Sequence, residues 1–167
     1  MNQSSPPSVP FKVLFVCMGN ICRSPAAEII FMKMIQEHHL QNKITTDSAG
    51  TIAYHEGAQP DKRMGKTLKE FGYTDPGLRA RKITTSDLKT FDLIITMDDD
   101  NLREVRKLDP ARQYWDKIQP MCQFTTKFED KVVPDPYYGG EAGFVHVVEL
   151  LEDTCEHLLT QLKKQFI

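Results

Sequence analysis

Residues 12–27 have the sequence KVLFVCMGNICRSPAA, which joins an apolar run, a short polar loop and a Ser-Pro pair. Its first part, Val13 to Val16, is a short apolar run that is typical of a buried parallel strand. Ser24 is a favourable residue for a helix N-cap, and Pro25 suits the first turn of a helix. The stretch therefore predicts a strand, a tight loop and a helix, in that order.

The loop of this unit, Cys17 to Ser24, has the composition of an anion-binding site. Its N–H groups lie at the start of the predicted helix, lack partners within it and can therefore point at an anion. Cys17 and Arg23 stand at the two ends of the loop with five residues between them. A thiol near a helix N-terminus and a guanidinium is shifted towards the reactive thiolate, and the guanidinium offers a planar fork to two phosphate oxygens. These residues predict phosphoryl transfer from a phosphomonoester through a cysteinyl-phosphate. The alternative is a buried cysteine in a turn with an arginine on the surface.

Four blocks of the sequence resemble the low-molecular-weight protein tyrosine phosphatases. They follow the order of that family and are CMGNICRSP at 17–25, DSAGT at 47–51, FDLIITMDDDNL at 91–102 and DPYYG at 135–139. Alternating strands and helices indicate a three-layer α/β sandwich with a parallel sheet and helices on both faces. The resemblance adds four strands in the order 2-1-3-4.

Length and composition restrict the class of protein. The chain has 167 residues, which suits a single domain, and its formal net charge of -2 gives no general attraction to nucleic acid or anionic lipid. We see neither an apolar run of membrane-spanning length nor a signal peptide. The cysteines and histidines form neither a secreted disulfide framework nor a metal motif. We therefore expect a cytoplasmic protein without metal, cofactor, nucleic-acid partner or membrane partner.

The predicted elements divide the chain into a tail and one domain. Residues 1–10 are polar and rich in proline, which predicts a disordered tail before a single domain at 11–167. Strands are expected near 12–16, 44–48, 92–97 and 118–121, and helices near 25–40, 61–71, 84–90, 98–107 and 141–162. We expect Thr85 or Ser86 to cap the third helix, and Glu28 and the acids at 98–100 to complement helix dipoles. The long irregular stretch 122–140 is predicted to be a functional loop.

The resemblance implies a role for each residue of the reaction. Cys17 is the nucleophile, and Arg23 and the loop amides stabilise the charge of the transition state. Asp135, held between Pro134 and Pro136, donates a proton to the leaving phenolate and then activates water. The alternative for Asp135 is a residue of a simple turn. The residues expected to bind the phosphate are Met18, Gly19, Asn20, Ile21, Cys22, Arg23 and Ser24.

Further residues are expected to support the loop from beneath. Asn20 can adopt left-handed backbone geometry and bond to the backbone, and Ser24 can donate to the thiolate. By resemblance, Ser48 braces the loop. Many relatives carry a supporting histidine near the position of Leu78. A leucine cannot donate that hydrogen bond, so this support is either absent or supplied by another group.

Aromatic side chains are predicted to form the walls of the substrate cleft. Tyr54 follows the carboxyl end of a strand, where ligands gather in open α/β sheets, and the resemblance implies an aromatic wall there. His55 belongs either to the cleft or to the surface. Tyr137 and Tyr138 are expected to flank the substrate ring. The expected partners are phosphotyrosine-containing proteins and, in the active site, inorganic phosphate or similar oxyanions.

Two cysteines have different predicted roles. Cys22 is either a small packed thiol or, by family precedent, the partner of Cys17 in a reversible disulfide that protects the nucleophile. Cys155 lies on the apolar face of the last helix and is predicted to belong to the core.

Three rival functions remain. Arsenate reductases share the fold and the loop but need further cysteines, and none lies between Cys22 and Cys122. Protein arginine phosphatases of this fold typically carry threonine at the place of Ile21, and isoleucine favours packing on an aryl ring. A phosphopeptide-binding module without turnover is disfavoured because Cys17, Arg23 and Asp135 are all present.

Overall fold

The computed structural model describes residues 9–166 and contains one four-stranded parallel sheet. The strands are β1 (Phe11–Cys17), β2 (Ile44–Gly50), β3 (Leu93–Thr96) and β4 (Ile118–Pro120). Their order in the sheet is β2-β1-β3-β4, and every neighbouring pair is parallel. The predicted sheet and its order are confirmed.

Five α-helices connect and cover the strands. They are α1 (Arg23–Glu37), α2 (Lys62–Glu70), α3 (Thr85–Thr90), α4 (Asp99–Lys107) and α5 (Glu141–Phe166). Two short 3-10 turns, Trp115–Lys117 and Met121–Phe124, flank β4. The second turn occupies the start of the predicted loop 122–140, because Met121 and Phe124 are buried in the core. The predicted α5 was four residues too short at its carboxyl end.

The alternation of side chains along β1 creates the two cores of the sandwich. Val13 and Phe15 point into the larger core, which also holds the apolar faces of α1, α2 and α5. Leu14 and Val16 point to the opposite face, where Leu88 of α3 and other apolar side chains pack. The sheet is thus buried on both faces, as the continuous apolar sequence of β1 predicts.

Two predicted helix caps are wrong. Thr84, rather than Thr85 or Ser86, caps α3, and it exchanges hydrogen bonds with Asp87 in a capping box. Ser24 does not cap α1, which begins one residue earlier at Arg23 and has no side-chain cap. The hydroxyl of Ser24 is engaged in the loop beneath the active site instead.

The remaining predictions concern the amino-terminal tail, membrane spans and metal sites. Most of the predicted tail, residues 1–10, lies outside the described residues. Between residues 9 and 166, no helix is both long and apolar enough to cross a membrane. In the same range, no group of three or more His, Cys, Asp or Glu residues is arranged to hold a metal ion.

Candidate active site

The loop between β1 and α1 forms an anion cradle at the carboxyl end of the sheet. Cys17 ends β1 and is 3% exposed. The N–H of Asn20 donates to Cys17 Sγ over 3.3 Å. The N–H groups of Gly19, Ile21 and Cys22 donate to no acceptor among the described residues. Free N–H groups around a thiol at the start of a helix are suited to bind the oxygens of a phosphoryl group.

The side chain of Asn20 holds this loop in shape. Asn20 has a left-handed backbone with φ of 57°. Its Oδ1 accepts from the backbone N–H of Arg81 over 3.0 Å. An N–H can only donate, so this contact fixes the orientation of the amide. The amide nitrogen therefore donates to the hydroxyls of Ser24 at 2.8 Å and Ser48 at 2.9 Å.

These two hydrogen bonds decide where the hydroxyl protons of the serines go. Ser24 Oγ accepts from Asn20 and lies 3.0 Å from Cys17 Sγ, so its own hydrogen is free to donate to the sulfur. Ser48 likewise donates its hydrogen to Glu28 Oε1 over 2.6 Å. Ser24 therefore contacts the Cys17 sulfur, and Ser48 links Asn20 to Glu28.

Glu28 is a member of this network that the sequence did not reveal. It was expected to complement the dipole of α1, but it lies beyond the first helical turn and is 5% exposed. Burial raises the pKa of Glu28 to about 7, although the hydrogen bond from Ser48 acts in the opposite direction. Within residues 9–166, Ser48 is the hydrogen-bond partner of this carboxyl group.

Glu28 and Arg81 support the loop in place of the histidine that many relatives carry near the position of Leu78. The leucine side chain packs against the larger core and donates nothing to the loop. Asn20 is instead braced by Ser48, which Glu28 orients, and by the backbone of Arg81. The Arg81 side chain is anchored by Asp47 at 3.0 Å and by Asp87 at 2.9 Å.

Arg23 is buried beside the cradle and is shared between carboxylates. Its Nη1 donates to Asp98 Oδ2 over 2.6 Å and to the carbonyl of Val133 over 3.1 Å. Its Nη2 lies 3.8 Å from Asp135 Oδ2. Burial lowers the pKa of Arg23, but the neighbouring charges of Cys17 and Asp98 outweigh it and raise that pKa. The guanidinium stays charged and keeps one edge for an anion.

Asp98 does more than the predicted complementation of a helix dipole. One carboxylate oxygen accepts from the N–H of Asn101, whose side chain accepts in turn from the N–H of Asp98, so the two residues cap α4. The other oxygen binds Arg23. Asp98 and Arg23 are 75 residues apart, and no local pattern links them.

The cradle opens into a cleft of about 290 Å³ with aromatic walls. Tyr54 and Tyr138 are 83% and 88% exposed at the rim. The ring of His55 packs over the loop, since a Cβ added to Gly19 would lie 3.0 Å from His55 Cδ2. Ile52 contributes to the wall and was not predicted. The lining residues are Cys17, Met18, Gly19, Ile21, Cys22, Arg23, Ile52, Tyr54, His55, Asp135, Tyr137 and Tyr138.

The end of β2 lies so close to the cradle that position 50 requires glycine. The N–H groups of Thr51 and Ile52 donate to the carbonyls of Cys17 and Met18 at 2.9 and 3.1 Å. A Cβ on Gly50 would lie 2.7 Å from the carbonyl oxygen of Met18, so only glycine fits. The end of β2 thereby forms one side of the cradle.

We predict that Glu28→Gln makes the stability of the fold less dependent on pH. The pKa of Glu28 rises from its ordinary 4.5 to about 7 on folding. Its favourable contribution is therefore complete below pH 4.5 and is lost as the pH rises through 7. At 1.36 kcal/mol per pKa unit, wild type should lose about 3 kcal/mol relative to the variant between these limits.

Urea unfolding at a series of pH values measures this difference. Glu56→Gln, at an exposed position, serves as the control and should follow wild type. If the plots of unfolding free energy against pH are parallel for wild type and Glu28→Gln, the pKa of Glu28 is not raised and the prediction fails.

The chain is similar to known proteins of one family. Residues 12–166 match the family model described as low molecular weight phosphotyrosine protein phosphatase. The chain is 54% identical over 156 residues to a Synechocystis sp. protein whose name carries the same family designation, covering 93% of this chain and 99% of that one.

Two solved structures are similar over almost their whole length. A protein tyrosine phosphatase from Entamoeba histolytica, crystallised with Hepes in the active site, has a TM-score of 0.89 and 50% identity and covers 94% of this chain and 99% of its own. An arginine phosphatase from Drosophila has a TM-score of 0.84 and 33% identity, with coverage of 92% and 98%. The chain belongs to the low molecular weight protein tyrosine phosphatase family.

Proposed function

We propose that this protein hydrolyses phosphotyrosine in proteins, and small aryl phosphates, through a cysteinyl-phosphate intermediate. One observation carries the proposal. A buried sulfur, that of Cys17, lies with unpaired N–H groups and Arg23 in an aromatic cleft that Asp135 also lines, 3.8 Å from the Arg23 guanidinium. This combination supplies a nucleophile, an oxyanion site and an acid within one cavity.

In the first step, the thiolate of Cys17 attacks phosphorus in line with the ester oxygen. The loop N–H groups and the free edge of Arg23 hold the phosphoryl oxygens and stabilise the charge of the transition state. The S–P bond forms while the P–O bond to the phenol breaks. Asp135, in its protonated form, gives its proton to the departing phenolate oxygen.

In the second step, water hydrolyses the cysteinyl-phosphate. Asp135, now ionised, removes a proton from the water as it attacks phosphorus. The S–P bond breaks, and inorganic phosphate and the thiolate are formed. The hydroxyl of Ser24, which is directed at Sγ by Asn20, stabilises the thiolate as it leaves.

The walls of the cleft favour an aryl phosphate. Tyr54, Tyr137 and Tyr138 offer ring faces and edges to a planar substrate, and Ile21 and Ile52 add apolar contact. The similarity to an arginine phosphatase keeps phosphoarginine as the rival substrate. An arsenate reductase relay is disfavoured, because neither Cys122 nor Cys155 lines the cleft.

The state of the cysteines bears on the cellular compartment of the enzyme. We propose the cytoplasm, because all four cysteines are free, which is typical of a reducing compartment.

Residues 11–167 are proposed to act as one phosphatase domain, since the family model spans residues 12–166.

The proposed function is tested by phosphate release from matched phosphotyrosine and phosphoarginine peptides. We expect wild type to prefer phosphotyrosine and Cys17→Ser to be inactive on both peptides while keeping its fold. Cys155→Ser, at a buried thiol outside the cleft, is the control and should keep activity. A preference for phosphoarginine, or undiminished turnover by Cys17→Ser, would overturn the proposal.

The role of Asp135 predicts a change in the dependence on the leaving group. A positioned acid contributes about 10²–10⁴-fold, and an acidic phenol gains little from it. In Asp135→Asn, kcat/KM should therefore fall steeply as the pKa of the phenol rises, whereas wild type stays nearly flat. The measurement is a series of substituted phenyl phosphates. An equal loss for every phenol would make Asp135 a structural residue of a turn.

We also propose that Cys22 is the redox partner of Cys17. Both thiols lie on one short loop and line the cleft, and burial and the nearby Asp61 raise the pKa of Cys22, which keeps it in the thiol form. Mild peroxide should inactivate the enzyme through a Cys17–Cys22 disulfide that dithiothreitol reverses. Mass spectrometry of the peroxide-treated protein identifies the bond. Reversible inactivation with Cys22 still reduced would contradict this role.

A further inference from the structure

Arg63 makes a dense set of contacts at the edge of the active site, and the reaction described above does not use it. It lies in the first turn of α2, and its side chain is 48% exposed. The guanidinium binds both carboxylate oxygens of Asp61, at 3.1 and 2.9 Å. It also donates to the backbone carbonyl of Tyr137 over 2.9 Å. Arg63 therefore joins α2 to the loop that carries Asp135.

Two aromatic rings fix the position of the same guanidinium. Its central carbon lies 5.2 Å from the ring centroid of Tyr137 and 4.8 Å from that of Phe144 in α5. Contacts of this kind are individually weak at exposed sites, but together they hold a planar group in one orientation. The hydrogen bond to Tyr137 thus comes from a donor that is itself anchored by a carboxylate and two rings.

The loop after Val133 has few other attachments. Within residues 134–140, two of the other hydrogen bonds in the described structure are internal, from Tyr137 N–H to Asp135 and from Gly139 N–H to Pro136. A third joins the end of the segment to α5, from Gly143 N–H to the carbonyl of Gly140 over 3.0 Å. The ion pair between Asp135 and Arg23 spans 3.8 Å. The bond from Arg63 is therefore a short polar link that ties the middle of this segment, at Tyr137, to α2.

This link acts directly on the orientation of the acid. The carbonyl of Tyr137 is held by Arg63, and the N–H of Tyr137 donates to Asp135 Oδ1 over 3.0 Å. Fixing the backbone at Tyr137 therefore fixes the carboxyl group of Asp135. Asp61 extends the connection to the phosphate cradle, because its N–H donates to the carbonyl of Ile21 over 2.8 Å.

We propose that Arg63 is a positioning residue that holds Asp135 at the leaving-group oxygen by clamping the backbone of Tyr137. The inference rests on the proposed role of Asp135 as the acid. Arg63 does not contact the reacting atoms in this account. Its contribution should appear only where proton donation limits the rate.

The test measures kcat/KM of Arg63→Ala across substituted phenyl phosphates. We expect about a ten-fold loss for phenols of high pKa and less than about two-fold for acidic phenols, since small displacements of a catalytic group are costly. Arg63→Lys should recover part of the loss, because one ammonium cannot replace all the contacts of the guanidinium. Lys66→Ala, one turn further along α2, is the matched control and should behave as wild type.

A double variant separates positioning from a general structural effect. In Asp135→Asn, adding Arg63→Ala should cause no further change in the slope of rate against phenol pKa. Arg63→Gln gives the same test should Arg63→Ala fold poorly, which circular dichroism would reveal. A slope in Arg63→Ala equal to that of wild type, or full additivity in the double variant, would overturn the inference.

The outcomes for Arg63 and for the proposed function are distinct. If Asp135→Asn itself leaves the slope unchanged, the assignment of the acid fails. If Asp135→Asn steepens the slope and Arg63→Ala does not, only the role of Arg63 fails.

Discussion

The active site depends on one constraint: the N–H groups of Gly19, Ile21 and Cys22 must remain without a protein acceptor while the loop keeps a single shape. Unpaired polar groups in a buried site are costly until a ligand satisfies them, so other parts of the protein must hold the loop. The amide of Asn20 does this from beneath, with one acceptor and two donors all engaged. These bonds are made by the side chain of Asn20, so they use none of the N–H groups of Gly19, Ile21 and Cys22 that are proposed to bind the anion.

The positive charge of Arg23 is balanced by Asp98, a residue that also has a structural role. Asp98 binds one nitrogen of the guanidinium and also caps α4, so the helix and the arginine stabilise each other's position. The other nitrogen lies towards Asp135 and the cleft. A phosphoryl group would thus meet a cation that is already oriented, and little reorganisation is needed at the moment of reaction.

Local patterns in the sequence were sufficient for the framework of the protein. The apolar run of β1 and the adjoining loop lie within a few residues of each other, so their chemistry could be inferred together. The sheet order and the place of Asp135 needed the resemblance to a family. What could not be predicted depends on contacts between distant segments: Arg23 with Asp98, Ser48 with Glu28, and Arg63 with Tyr137. Ser24 was misassigned as a cap because its hydroxyl is bonded to Asn20 and Cys17 instead of to a backbone N–H of α1.

The most direct test of this account is the affinity for inorganic phosphate of wild type and Asn20→Gly, measured by titration calorimetry. Glycine tolerates the left-handed backbone at this position, so the variant removes mainly the amide that braces the loop. Phosphate should bind about ten-fold more weakly to the variant, which loses the three hydrogen bonds of the Asn20 side chain, with the fold retained. Equal affinity in a folded Asn20→Gly would contradict the claim that Asn20 maintains the cradle.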